Sequence, residues 1–321
     1  MKKILSGLLL ALMLLFVSCS NSDNTNEVTK VTKYLGDLNS YSLTSTMSIN
    51  RADKKVSMDV CVDYLAPSYY KVSFKNKDNE QLIIKNNDGV YVLTPSLNKQ
   101  FKFDSDWPLN SSHAYLLEAI CKDIKADSNA VGTTESGVIN IECGITHKTN
   151  QNLSKMRYTC EEKNLTPKRT VFMNENKEEI ITVDFNTFNP NSNLNKDHFN
   201  EKQYLANVEE GPTGSEPANV AVTVGYVIEG NTLNTSTTTD NTTILVYSGE
   251  KPYTIIVQEA NAYAEVVVFD NYDNFEVLTS GLCFINDNSM KYFLDNYEVT
   301  IYSNSLSIEE YLNIASTISL V

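Results

Sequence analysis

The sequence predicts a mainly-β, α+β protein: a curved antiparallel half-barrel sheet with helices plugging its concave side, followed by a smaller α+β domain. Three observations predict it. Between Tyr41 and Phe103 apolar side chains recur at every second position, two segments instead repeat at helical spacing, and the acidic, breaker-rich run EEGPTGSEP at 209–217 separates this pattern from a second set of strands.

The stretch from Gln81 to Trp107 organises the first pattern. Leu82 and Ile84 alternate with polar neighbours, Asn86-Asn87-Asp88-Gly89 supplies residues that tolerate positive φ, and Val90 to Leu93 forms a second apolar run, which together read as a hairpin. Phe101 and Phe103 add a third strand after the connection at 94–99. Upstream, Val28, Val31 and Leu35 recur at helical spacing with Gly36 as a stop, and Tyr41–Ile49, Val56–Tyr64 and Tyr70–Phe74 alternate, so successive strands form an antiparallel meander. Downstream, His113 to Ala126 reads as a second helix, and strands follow at 138–145, 156–160, 170–173 and 180–185. One oily sheet face then needs a cover. Met58, Val60, Val72, Phe74, Ile84, Val92, Phe101 and Phe103 are the candidates to line a groove there, with Trp107 at its mouth, although an ordinary core requires the same residue types.

Domain limits follow as 26–205 for the half-barrel, 206–218 for a linker and 219–321 for the small domain. In the small domain, strands are expected at 220–226, 244–247, 253–258, 264–269, 281–285, 290–294 and 297–302, with NTLNTSTTTDNTT at 231–243 as a low-complexity turn. Ser307 and Glu310 form a capping box ahead of Ile308, Leu312, Ala315 and Ile318, which predicts a closing helix on the small sheet.

The N-terminus sets an expectation for the compartment. Lys2 and Lys3 precede an apolar run, Ile4 to Val17, shorter than the roughly 20 residues of a membrane helix. Phe16-Val17-Ser18-Cys19 resembles the bacterial lipobox, with Phe in place of the usual Leu. Residues 1–18 are therefore expected to be a lipoprotein signal peptide, Cys19 the attachment point of a diacylglyceryl anchor with palmitate-type chains, and 19–25 a flexible tether. The expected location is the outer face of the cell membrane. Without Lys2 and Lys3 the net charge passes from −14 to −16, which repels nucleic acid, and the scarcity of arginine points to an A+T-rich, Gram-positive genome.

Catalytic signatures are missing from the sequence. His113, His147 and His198 lack acidic or thiol neighbours at metal-ligand spacing, and no nucleophile elbow, P-loop or dinucleotide fingerprint occurs. The paired acids Asp104 and Asp106, Glu161 and Glu162, and Glu309 and Glu310 read as solvated charges. No enzyme activity, metal or cofactor is expected. Cys61, Cys121, Cys143, Cys160 and Cys283 lack CxxC spacing and read as buried free thiols, with one pair among Cys61, Cys143 and Cys160 open.

A family resemblance rests on residues 26–205. The helix, the paired long strands, the Asp88-Gly89-Val90-Tyr91 hairpin, Thr94-Pro95-Ser96-Leu97-Asn98-Lys99, Trp107-Pro108, the Leu-rich helix and Val183-Asp184-Phe185 with Phe188 and Asn189 together resemble the LolA/LolB-like lipoprotein-carrier superfamily. Within it the chain looks most like the Gram-positive sporulation and germination lipoproteins, GerS-like, and its two-domain layout is similar to the RseB regulators. The resemblance implies a hydrophobic groove that holds an acyl chain or a partner. It further implies, for the GerS-like branch, support of a cortex-processing amidase. A protein partner is the leading expectation, an acyl-chain ligand or RseB-like envelope signalling the alternative, because an anchored chain is a poor shuttle.

Overall fold

The computed structural model describes residues 21–320 other than 52–53, 77–78, 104–105, 206–219, 240, 261–265, 269–273 and 279. Cys19 and the linker expected at 206–218 lie outside the described residues.

Helix α1 (Asn21–Gly36) leads into six strands that run as an antiparallel meander: β1 (Ser40–Arg51), β2 (Lys54–Leu65), β3 (Tyr69–Asn76), β4 (Asn79–Asn86), β5 (Gly89–Thr94) and β6 (Lys99–Phe103). After α2 (Leu117–Ala126) a second meander follows: β7 (Val131–Glu135), β8 (Val138–Gly144), β9 (Lys155–Glu161), β10 (Pro167–Met173) and β11 (Glu179–Pro190). The long strands β1 and β11 pair antiparallel and fuse the two meanders into one sheet. Both helices lie over its concave side, α1 beside β7 and α2 beside β8.

The second unit holds a seven-stranded sheet ordered β13 (Thr232–Thr239), β14 (Thr242–Ser248), β15 (Tyr253–Glu259), β20 (Tyr297–Tyr302), β19 (Ser289–Leu294), β18 (Gly281–Ile285) and β17 (Asn274–Leu278). Helix α3 (Ile308–Ala315) covers it through Tyr311, Leu312, Ile314 and Ala315, and its capping box is formed: Glu310 N–H donates to Ser307 Oγ and Ser307 N–H to the Glu310 carboxylate. Strand β12 (Val222–Val224) pairs with β21 (Ile318–Leu320) in a separate ribbon.

Several expectations are corrected. Residues 21–25 belong to α1 rather than to a tether, consistent with the acceptance of small polar and acidic residues in a first helical turn. Helix α2 starts at Leu117, not His113, because Leu116 is extended and offers no side-chain cap. The Thr-rich run expected as a turn is the strand β13, since β-branched threonine suits a pleated edge as well as a loop. Ile318 has left the closing helix for β21, and the 264–269 segment supplies β16 (Val266–Val268), which pairs in parallel with β6 of the first sheet instead of joining the small one. β7 (VGTTE) went unforeseen for want of apolar alternation, and β17 (NFEVL) because its alternation, Phe275 and Val277, is only two residues long. Cys61 is exposed, whereas Cys121, Cys143, Cys160 and Cys283 are buried, and all five are free thiols.

Ile84 faces the other way from its expected companions. It packs on the convex side with Tyr69, Leu82, Tyr91 and Leu93 beneath Phe199, while Ile83 takes the concave position opposite Val72 and Val92. A continuous Leu82-Ile83-Ile84 run carries no parity signal when both faces of a strand are covered. The cover is the segment 194–205, pinned where Asn86 Nδ2 donates to Phe199 O at 3.1 Å and to Glu201 Oε2 at 2.9 Å, and where Asp63 accepts from Ser42 Oγ at 2.6 Å and Lys71 Nζ at 3.0 Å and meets His198 Nε2 at 2.7 Å.

Candidate binding groove

Cross-strand pairing sets the floor of the concave face. Val60 lies opposite Phe74, Val62 opposite Val72, Val72 opposite Ile83, Ile83 opposite Val92, and Val92 opposite Phe101, so one apolar row crosses five strands. Val60, Val72 and Val92 are 0% exposed, Phe74, Phe101 and Trp107 2%, and Met58 3%. The Phe103 side chain lies outside the described residues.

The floor has three covers. Val31 and Leu35 of α1, Leu117, Ile120 and Ile124 of α2, and the 107–116 segment supply the first two. Within that segment Tyr115 stands edge-on to Phe74 at 5.2 Å, and Trp107 edge-on to Tyr70 at 5.5 Å. The third cover is the rim of the second sheet. Leu282, Phe284 and Phe293 join the same core; Phe101 stacks on Phe293 at 5.7 Å and meets Phe284 at 5.0 Å, while Phe275 reaches Trp107 at 6.0 Å. Trp107 therefore sits inside the joint between the two units rather than at an open mouth.

Polar contacts hold the rim in register. Gln81 Oε1 accepts from Leu282 N–H, and Gln81 Nε2 donates to Thr94 Oγ1 at 3.0 Å. Gly281 beside it adopts φ +136°, a conformation that other residues rarely take. Farther along, Thr149 Oγ1 donates to Glu276, whose carboxylate also faces His147 and Arg51. Asn150 N–H donates to His147 Nδ1 at 3.1 Å. Burial, then His147 and Lys122, pulls His113 down to about 3, so it stays neutral. These groups line a cavity of about 30 Å³, room for about one water.

A wider opening of about 450 Å³ lies where α1 and α2 diverge, lined by Leu35, Leu38, Tyr64, Cys121 and Glu118 with Lys122 and Lys125 at its edge. Glu118 is the residue that sequence reasoning missed. Its Oε2 accepts from Tyr41 Oη at 2.8 Å, and its Oε1 is buried without a hydrogen-bond partner among the described residues. Burial raises its pKa to about 7, with the Tyr41 bond opposing. The available signal was position: one residue after Leu117 and three before Cys121, it borders the apolar face of the helix. Burial also raises the Cys121 thiol, which donates to Thr32 O at 3.3 Å.

Among the described residues no group of three or more His, Cys, Asp or Glu side chains is placed to hold a metal ion, and no helix is long and apolar enough to cross a membrane. Asp63 draws Ser42 and His198 to itself on separate oxygens, so serine and histidine do not form a nucleophile–base pair there.

Comparison with known proteins adds the family. Residues 1–199 match the family described as sporulation protein YdcC-like. The sporulation protein YdcC of Bacillus subtilis (strain 168) is 30% identical over 328 aligned residues, which cover 98% of this chain and 95% of that protein. Similar solved structures include the Pseudomonas aeruginosa MucA/MucB complex, at 12% identity over 93% of this chain and 99% of that one with a TM-score of 0.36. The CwlD amidase of Clostridioides difficile in complex with the GerS lipoprotein is similar over 54% of this chain and 97% of that one, at 13% identity and a TM-score of 0.24. The architecture itself stands on the strand order and register given above.

Proposed function

The chain belongs to the YdcC-like family of sporulation proteins, and from that premise we propose that it is a non-enzymatic binding protein supporting a partner protein in spore formation or germination. The observation that carries this reading is the closed half-barrel. A small-molecule or acyl-chain site normally offers about 300–1,000 Å³ of concave space. Here Phe284 and Phe293 pack on Phe101 in the position that cargo would take, and the cavity farther along the joint, beside Phe275 and Val277, is about 30 Å³. A half-barrel filled by its own second sheet is a rigid support, suited to presenting a surface. A diacylglyceryl anchor on Cys19 would hold that surface at the outer face of the membrane, which suits a stationary support better than a shuttle. The partner class implied by the resemblance, a cortex-processing amidase, is the first to test.

One observation favours a second reading. The opening of about 450 Å³ beside Leu35, Leu38 and Tyr64 falls within the size range of ligand sites and is apolar enough to take the end of an acyl chain. The two readings separate when affinity-tagged full-length chain is recovered from sporulating cells. A stoichiometric protein partner, with a sporulation or germination defect in the deletion strain, supports the first; a deletion strain that sporulates and germinates normally overturns it.

A further inference from the structure

We propose that the outer edge of β13 is a docking site for an extended cationic peptide segment of a partner protein, which adds to the seven-stranded sheet as an eighth strand. Among the described residues strand β13 ends that sheet, and all eight of its residues are exposed. The opposite edge, β17, is turned onto the first unit through Phe275 and Val277. Along an edge strand, alternate residues direct N–H and C=O away from the sheet, and proteins ordinarily guard such a row with lysine, proline or a covering element. β13 reads TLNTSTTT, with no charge and no proline, and its one irregularity lies near its start, between Leu233 and Thr235. From Thr235 to Thr239 the register is unbroken.

Charge selects the occupant. Glu229 and Glu250 are exposed at the start of β13, Glu250 packing beside Gly230, and exposed Glu259, the last residue of β15, reaches the turn that follows β13, where Asn241 Nδ2 donates to it at 3.4 Å. Between residues 220 and 260 the one basic residue is Lys251, whose ammonium is taken by Glu310. The edge is thus neutral along its length and acidic at both ends. A second copy would pair antiparallel and bring Glu229 and Glu250 of one edge against Glu259 of the other, which disfavours it. A segment of about eight residues with basic residues at either end satisfies both the backbone row and the flanking charges.

This surface is separate from the half-barrel, so its failure leaves the proposed support role standing. The test uses full-length chain and two synthetic peptides, each of eight alternating Thr and Val residues, flanked at both ends by two Lys in one and by two Glu in the other. The Lys-flanked peptide is expected to bind, to slow amide exchange at 232–239, and to weaken with added salt. The triple variant Glu229→Gln, Glu250→Gln, Glu259→Gln, altered only at exposed positions, is expected to bind it about tenfold more weakly and with less salt dependence. Equal binding of the Glu-flanked peptide, binding without protection at 232–239, or no binding at millimolar peptide overturns the proposal. So does a concentration-dependent dimer that protects 232–239 without peptide, which would assign the edge to a second copy.

Discussion

Replacing Glu118 by glutamine should stabilise the protein at alkaline pH and leave it unchanged in acid. The carboxyl sits against Tyr41, Tyr64 and Tyr70, whose hydroxyls burial keeps protonated, with Lys122 and Lys125 at the edge of the opening. Below its usual 4.5 the group is protonated whether the chain is folded or not, and contributes no pH dependence. Between 4.5 and about 7 the unfolded chain releases the proton while the folded chain retains it, so stability falls as pH rises. Above about 7 the loss is complete. That interval, at about 1.4 kcal/mol per pH unit, amounts to roughly 3 kcal/mol as an upper bound. Glutamine keeps an acceptor for Tyr41 and has no charge to bury. Urea unfolding followed by Trp107 fluorescence should show coincident curves for Glu118→Gln and the parent at pH 4.5, and a variant more stable by up to about 3 kcal/mol at pH 8. Asp123, raised to about 6 by burial, acts in the same direction but is common to both proteins. A difference that does not change with pH, or a variant less stable at pH 8, would refute the reasoning.

Three further outcomes are expected. Phe284→Ala removes a fully buried ring from the joint and should cost about 3–5 kcal/mol in urea unfolding while raising the binding of an apolar dye. Asp63→Asn should destabilise the chain by about 2 kcal/mol at pH 7 by weakening the bonds from Ser42, His198 and Lys71. Burial alone would raise Asp63, but those bonds hold it below its usual 3.8, so its contribution is present above that value and is lost as pH falls through the lower folded one; the variant's deficit should shrink accordingly. Cys19→Ala should move the protein from the membrane fraction to the soluble one, as followed by immunoblot.

The first sheet was legible because each of its early strands has one covered face over most of its length. Alternation then reports the fold directly: Val60, Val72, Phe74, Val92 and Phe101 share one face of the sheet and join the same core. Ile84 escaped because a strap covers β4 from behind, so apolar residues there run without a gap. β13 escaped because hydrophobicity marks burial, and an edge that buries nothing leaves only threonine's backbone preference as a trace. The closure of the groove lay furthest from reach. Contacts between Phe101 and Phe293, or between Gln81 and Leu282, join residues some two hundred positions apart, and no local period records such a meeting. Glu118 was visible in principle, since a carboxylate bordering the apolar face of α2 departs from the pattern of a solvated helix.

The proposed support role turns on whether the concave face is occupied by the chain itself. Native mass spectrometry of full-length protein released from membranes of sporulating cells measures this most directly. The expected spectrum contains the chain with its covalent anchor, bound to a protein partner or alone, and without stoichiometric free lipid. A stoichiometric lipid adduct that disappears when Phe74 or Phe101 is replaced by a charged residue, in a chain that remains folded, would place cargo where Phe284 and Phe293 now lie and contradict it.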